Sequence, residues 1–277
     1  MQVRRIRGIK RGNDMRILQG MMMRKSVREY EFLQIEDELM RRIEKYLDEI
    51  EPVYKKSKIR YVMTNYCTGG FAPYYVGIYT DQTKEGQINA GFVLQQLSVY
   101  LSAMGIASCF REKNIIFQEE NKEGLYMTIC LAFGYPKKIM YRNIGEEKRL
   151  SMEKICVFKE PAGEEIEKLL QCAVLAPSSY NAQPWRFVVY QDRIHIFIKN
   201  NMIRRINRLR YVNIGAMLAN VMICSDEAWI EIKVRILRKL QNKSFGNNEY
   251  ILSVYLIDTD SKKQNECPIG LQKENRD

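Results

Sequence analysis

The sequence predicts an α+β fold made of two fused, similar halves, each with a central antiparallel-rich sheet flanked by helices. Helical and strand-like apolar spacings alternate along the 277 residues, and the same order of elements returns after about residue 160. The pattern Asn-x-Gly-x-x-Leu begins at Asn89 and again at Asn213, 124 positions later. A match this short can arise by chance, but the matching order of elements around it favours a duplication.

Apolar spacing defines the elements of the first half, residues 21–155. Apolar residues three and four positions apart predict a helix over 35–50, and extended runs predict strands at 59–63 and 75–80. A long helix begins near Gln87 and ends at Gly105, since glycine commonly follows a helix C-terminus. The largely apolar run 125–133 predicts a central strand.

The second half, residues 156–258, repeats this order. A helix near residues 166–173 precedes strands at 187–190 and 194–198, another helix, and a strand at 251–257. The single histidine, His195, lies in an alternating stretch, which predicts a structural residue on the outward face of a strand.

Lys and Arg total 44 against 33 Asp and Glu, a formal charge of +11. Residues 1–20 are expected to form a basic, disordered extension, which could also lie upstream of the true start, and residues 259–277 a mobile polar tail. The basic start is not followed by the apolar stretch of a secretory signal, and no apolar run is long enough to span a membrane. These features predict a cytoplasmic protein without a membrane partner.

The seven cysteines are scattered, with no CxxC pair and no clustered histidines. This distribution predicts reduced thiols and argues against a disulfide framework or a metal site.

A first candidate binding segment reads Arg-Lys-Ser-Val-Arg-Glu-Tyr over residues 24–30. If the segment is extended, its three cations and one hydroxyl (Arg24, Lys25, Arg28 and Ser26) can converge on one phosphate. The alternative is a solvated basic patch before a helix.

A second candidate segment joins a helix to a strand over residues 175–187. Two prolines stiffen it, and four polar side chains (Ser178, Ser179, Asn181 and Gln183) place donors and acceptors on a short curve. Such a rim suits a flat heteroaromatic ring with polar edges. The alternative is an ordinary polar turn before a buried Trp185.

Together the two segments resemble the nitroreductase family, whose members carry Arg-Arg-Ser-x-Arg-x-Phe near the start and Ala-Pro-Ser-x-x-Asn-x-Gln-Pro-Trp after the first helix. Three further segments agree: 105–110 resembles the family's Gly-Leu-Gly-Ser-Cys-Trp, 134–136 its Gly-Tyr-Pro, and 148–153 its late basic segment. The resemblance implies a nitroreductase-like fold and bound FMN.

The sequence departs from the common pattern in a way that implies a single-chain pseudo-dimer. Ordinary members carry both segments in each subunit and dimerise to form two sites. Here only the first half has the phosphate segment and only the second half has the loop. This implies one FMN per chain, bound between the halves by a monomer that need not dimerise.

The resemblance assigns roles by position. It implies that Arg24, Lys25, Ser26, Arg28 and Arg149 hold the phosphate and ribityl end, that Pro177, Ser178, Ser179, Asn181 and Gln183 frame the ring, and that Gly105, Ala107 and Ser108 lie along it. It implies no catalytic side chain, because hydride transfer through the flavin needs none.

The implied function is an FMN-dependent oxidoreductase that takes a hydride from NADH or NADPH. In a ping-pong cycle, electrons then pass to a small-molecule acceptor such as a nitroaromatic, a quinone or a similar flat electrophile. The alternative is a non-catalytic flavin-binding or sensing module that acts with a partner. Nucleic-acid binding through the +11 charge has no recognisable motif behind it.

Overall fold

The computed structural model describes residues 16–65, 70–112, 124–201, 203–241 and 246–257. Both halves contain helices and strands. In the first half they are α1 (Ile17–Met23), α2 (Asp37–Glu49), β1 (Ile59–Thr64), β2 (Tyr74–Thr80), α3 (Lys84–Ala103), β3 (Ala107–Arg111), β4 (Tyr126–Gly134) and α4 (Met152–Ile155). In the second half they are β5 (Cys156–Phe158), α5 (Glu164–Val174), β6 (Trp185–Val189), β7 (Arg193–Lys199), α6 (Arg204–Arg208), α7 (Arg210–Glu227), β8 (Ile232–Arg235), α8 (Arg238–Gln241) and β9 (Asn248–Leu256).

The strands form two separate sheets, one in each half. The first sheet has the order β1-β2-β4-β3, and all its neighbours are antiparallel. The second has the order β5-β6-β7-β9-β8 and is antiparallel except where β5 runs parallel to β6. The fold class predicted from the sequence, α+β with two similar halves, is confirmed.

The halves meet through the long helices α3 and α7, which approach each other very closely. A Cβ atom on Gly91 would lie 1.9 Å from the carbonyl oxygen of Val212, and one on Gly215 would lie 1.9 Å from that of Ile88. Both contacts carry the 124-residue offset seen in the sequence, so the two halves are related across this helix pair. Only glycine, which lacks a Cβ, permits this backbone approach.

The predicted extension over residues 1–20 is wrong at its inner end. Residues 17–23 form α1, in which Gly20 and Met21 are buried. The Gly20 carbonyl oxygen accepts a 3.1 Å hydrogen bond from Ser102 Oγ of α3. The apolar side chains of α1 anchor it, although the charge of the preceding segment suggested otherwise. Residues 1–15 and the predicted tail 259–277 lie outside the described residues.

The prediction that His195 faces outward from its strand is also wrong. The residue is 8% exposed, because Tyr190 and Tyr255 pack edge-on against its ring. Its Nδ1 lies 2.7 Å from Ser253 Oγ on the neighbouring strand, as expected for a structural residue. Burial lowers the pKa of the imidazole, with Arg193 and Lys239 adding to the effect.

Two further sequence predictions can be compared with the described part of the chain. The five cysteines that it contains are all free thiols. None of its helices is long and apolar enough to cross a membrane.

Candidate functional site

A cavity of about 400 Å³ lies where the two predicted binding segments meet. Its size falls within the range of about 300–1,000 Å³ that small-molecule pockets occupy. The lining comes from both halves: Ser26, Arg28, Cys109, Phe110, Arg111, Glu112, Ile129, Pro177, Ser178, Ser179, Tyr180, Leu209, Val212, Asn213 and Ala216. Segments about 150 positions apart therefore line one cavity.

The segment 24–30 is extended, as expected. Ser26 pairs with Ser108 at the start of β3, and the Val27 N–H donates a 3.1 Å hydrogen bond to the Ser108 carbonyl oxygen. Ser26 and Arg28 consequently reach the cavity, while Val27 packs into an apolar cluster. Lys25 is exposed, and the cavity described here is not lined by it.

Three arginines form a group of positive charge next to this segment, in which Arg24 is buried and Arg142 and Arg149 are partly buried. Arg24 is 5% exposed and interacts electrostatically with Arg142 and Arg149. One nitrogen of each guanidinium, Nη1 of Arg24, Nη2 of Arg142 and Nε of Arg149, is buried without a hydrogen-bond partner among the described residues. The carboxylate of Glu147 lies 3.9 Å from Arg142 Nε, which leaves most of the charge uncompensated.

The pKa values of all three arginines are lowered. Burial lowers the pKa of Arg24 to about 10, and the neighbouring Arg142 adds to the effect. Burial followed by Arg142 lowers the pKa of Arg149 to about 10 as well, and burial lowers that of Arg142. Guanidinium groups keep their proton, so the unpaired nitrogens form a receptor for an anion with several oxygen acceptors, such as a phosphate.

The loop that follows α5 is backbone-strained. Tyr180, Asn181 and Gln183 have φ values of 55°, 54° and 44°, a region that non-glycine residues rarely adopt. The Gln183 N–H donates to Ser178 Oγ at 3.0 Å, and the Ser179 N–H donates to Asn213 Oδ1 at 3.0 Å. Strain held in place by such bonds is concentrated at functional sites in proteins.

The same loop is bonded to the late basic segment. Arg149 donates from Nη2 to the Leu175 carbonyl oxygen at 2.9 Å and from Nη1 to Asn181 Oδ1 at 3.0 Å. Gln183 Oε1 accepts the Leu150 N–H at 2.9 Å. Asn181 and Gln183 thus position the Arg149 segment here, and their expected contact with a ring stays a prediction.

The segment after α3 reaches the cavity a few residues later than the positions expected to contact a flavin. Gly105, with φ of 75°, ends the helix, and Ala107 and Ser108 are buried, with Ser108 Oγ 2.8 Å from Ser98 Oγ. From this segment, residues 109–112 line the cavity. The expected contact of Gly105, Ala107 and Ser108 with a flavin is not tested by this arrangement.

Polar contacts close one side of the cavity mouth. Tyr180 Oη donates to Glu112 Oε1 at 3.4 Å, and Arg208 forms an ion pair with the other oxygen of Glu112. These contacts join residues of both halves. Tyr180 is 55% exposed, so it forms part of the rim.

Sequence reasoning missed several residues of the site. Arg142 belongs to no motif, and only its place shortly before the basic segment could have drawn attention to it. Asn213 was recognised as part of the internal repeat but not as a residue of the cavity. Arg111 and Glu112 follow a recognised segment directly, and a slightly longer comparison would have included them.

Comparisons with known proteins identify similar structures and relatives. A solved "putative nitroreductase" from Thermotoga maritima matches 90% of this chain and 98% of its own length, with a TM-score of 0.62 and 18% identity. A nitroreductase from Desulfitobacterium hafniense, solved with bound FMN, matches 49% of this chain and 96% of its own, with a TM-score of 0.40 and 13% identity.

A curated relative from Archaeoglobus fulgidus is named "Putative NADH dehydrogenase/NAD(P)H nitroreductase". It is 35% identical over 72 residues, which cover 24% of this chain. The match spans 36% of that relative's length. The family model described as "Putative TM nitroreductase" matches residues 16–225, which include both binding segments, and the chain therefore belongs to this nitroreductase family.

Proposed function

We propose that this protein is an FMN-dependent oxidoreductase that takes a hydride from NADH or NADPH and reduces a nitroaromatic, a quinone or a similar flat electrophile. The observation that carries the proposal is the convergence of Ser26 and Arg28 with residues 177–180, from opposite halves, on one cavity. Three arginines with buried, unpartnered nitrogens lie next to the two segments. Membership of the nitroreductase family supports the proposal.

The residues present fit FMN. Arg24, Arg142 and Arg149 would hold its phosphate, because their unpartnered guanidinium nitrogens offer several charge-assisted hydrogen bonds to a dianion. The cavity between Ser26 and Pro177 would hold the ring system. When bound, the flavin supplies the redox chemistry by accepting a hydride and passing electrons to the acceptor.

The chain's own contribution is binding and electrostatics. Arg28 and Arg111 line the cavity and place positive charge beside the bound ring, which favours an electron-rich form of it. Tyr180 and Glu112 close one side of the cavity mouth. We assign no catalytic side chain and no metal.

One flavin per chain, bound without dimerisation, is the second part of the proposal. At the position related to the loop by the internal repeat, the first half offers Tyr54, whose backbone N–H and carbonyl oxygen both bond to Asn89 at 2.9 Å. In the described part of the chain, that position has neither the strained loop nor the arginine group. The opposite pairing of the two halves should therefore bind no flavin.

Reconstitution with FMN tests the proposal. The purified protein, mixed with FMN and freed of excess, should show a flavin absorption spectrum that bleaches anaerobically on addition of NADH or NADPH. Turnover of a nitroaromatic or quinone panel beyond one equivalent per protein would exclude a purely flavin-storing or sensing module. If neither nicotinamide reduces the bound flavin, the oxidoreductase proposal is wrong even though FMN binds.

A further inference from the structure

Two asparagines occupy equivalent positions in the two long helices but make different hydrogen bonds. In α3, Asn89 uses its whole carboxamide: Oδ1 accepts the Tyr54 N–H at 2.9 Å, and Nδ2 donates to the Tyr54 carbonyl oxygen at 2.9 Å. In α7, the Oδ1 of Asn213 accepts the Ser179 N–H at 3.0 Å and lies 3.3 Å from the Ser179 hydroxyl.

The other end of Asn213 has no partner. Its Nδ2 is buried and makes no hydrogen bond with any described residue, and the residue is 3% exposed. The Tyr54 carbonyl oxygen accepts both the Ser57 N–H at 3.2 Å and Asn89 Nδ2. The Ser179 carbonyl oxygen accepts the Ala182 N–H at 3.1 Å but makes no hydrogen bond with Asn213 Nδ2.

The orientation of the carboxamide is set by its acceptor. Because Oδ1 must face the Ser179 N–H, the side chain cannot be flipped without losing that bond. Asn213 also lines the cavity between the halves. A buried donor left without a partner is destabilising, and a ligand acceptor placed against it would recover that loss.

We propose that Asn213 is a binding residue for the ring system in the cavity, to which its Nδ2 donates a hydrogen bond. The ligand is a flat heteroaromatic compound with a carbonyl oxygen or an unprotonated ring nitrogen at its edge. The proposal rests on the proposed flavin site and adds to it a contact from the helix between the two halves.

The test uses Asn213→Asp, which keeps the acceptor for Ser179 and replaces the donor by an oxygen. The matched control is Asn89→Asp, the same change at the equivalent position of the first half. Binding of FMN and of riboflavin to the apoproteins is measured by quenching of flavin fluorescence, and the stability of each apoprotein by thermal unfolding.

Asn213→Asp should weaken FMN binding about 10-fold or more, which corresponds to the loss of one buried hydrogen bond. Riboflavin binding should fall by a similar factor, since the contact is with the ring and not with the phosphate. Asn89→Asp should lower the apoprotein's melting temperature, because a carboxylate would face the Tyr54 carbonyl oxygen, and change FMN affinity less than two-fold.

Asn213→Ala, which removes both ends of the carboxamide, serves if the aspartate variant does not fold, with affinities measured on the folded fraction. Unchanged affinity for both flavins in a folded Asn213 variant would overturn the proposal and leave a residue that only anchors the loop. Failure of the wild-type protein to bind either flavin would overturn the proposed cofactor itself, and with it this contact.

Discussion

Replacing Arg24 with methionine should stabilise the apoprotein and weaken its binding of FMN. Arg24 is 5% exposed, lies beside Arg142 and Arg149, and has a buried Nη1 without a partner among the described residues. Methionine has a flexible apolar chain of comparable length and can fill the same space without the charge. A buried charge with no counterion destabilises the empty site, while the same charge is what a phosphate binds.

The magnitude follows from the pKa of Arg24, which is lowered from 12.5 to about 10, mainly by burial. This shift corresponds to roughly 3 kcal/mol at 1.36 kcal/mol per pH unit, and we take it as the upper limit. The apoprotein should gain about 1–3 kcal/mol, or about 2–8 °C in melting temperature. Loss of one charge-assisted hydrogen bond, about 1.5–3 kcal/mol, should weaken FMN binding about 10- to 150-fold.

The sign of the pH dependence follows from the same shift. A base whose pKa is depressed in the folded state destabilises the fold while it is protonated, and the penalty is relieved only as the pH rises through about 10 toward 12.5. Both states keep the proton at lower pH. The stability difference between the variant and the wild type should therefore be constant between about pH 6 and 9.

The assay compares wild type, Arg24→Met and the control Arg41→Met, whose arginine is exposed and pairs with Glu38. Apoprotein stability is measured by thermal unfolding, and affinity by titration with FMN and riboflavin. The control should change neither property appreciably. A melting temperature of Arg24→Met below that of the wild type would refute the claim that the charge is uncompensated. A loss of riboflavin affinity as large as the loss of FMN affinity would show that Arg24 does not bind the phosphate.

Three further outcomes are expected. Arg28→Ala and Asn181→Ala should each weaken the same single flavin about 10-fold, measured by FMN titration, because Arg28 lines the cavity and Asn181 holds Arg149; an effect of only one variant would contradict a shared site. Gly91→Ala should lower stability by about 3 kcal/mol or more, since its Cβ would lie 1.9 Å from a carbonyl oxygen of α7, and an unchanged melting temperature would contradict this packing. FMN titration of a monomeric gel-filtration fraction should saturate at one equivalent per chain, and two equivalents would disprove the single site.

The elements of the fold could be predicted because the buried residues of each helix and strand follow a regular pattern in the sequence. The helix α2 shows its apolar residues at helical spacing, and β4 is a nearly unbroken apolar run. The exposure of His195 was predicted wrongly because alternation identifies the two faces of a strand but does not show which face is covered. Aromatic side chains cover the face that carries His195. Residues 17–20 were assigned to the disordered extension because their short apolar pattern follows a strongly basic segment.

The site was predictable to the extent that its chemistry is local. Residues 24–28 and 177–183 carry dense functional groups within a few positions, and the cavity brings their inner members together. Arg142 and Asn213 act through tertiary placement alone. The sequence shows Asn213 as the counterpart of Asn89, but only the contacts made in the folded chain show which of the two keeps an unpartnered donor.

Three unfavourable features of this molecule lie at or next to the two binding segments. Tyr180, with its positive φ, and Asn213, with its unpartnered donor, line the cavity, and the arginine group around Arg24 lies beside the two segments. At the equivalent position of the first half, Asn89 is fully bonded. Strain and unpaired polar groups persist where a ligand compensates for them, since elsewhere they only lower stability. Their restriction to one of two related positions therefore favours a single ligand site that is stabilised by its occupant.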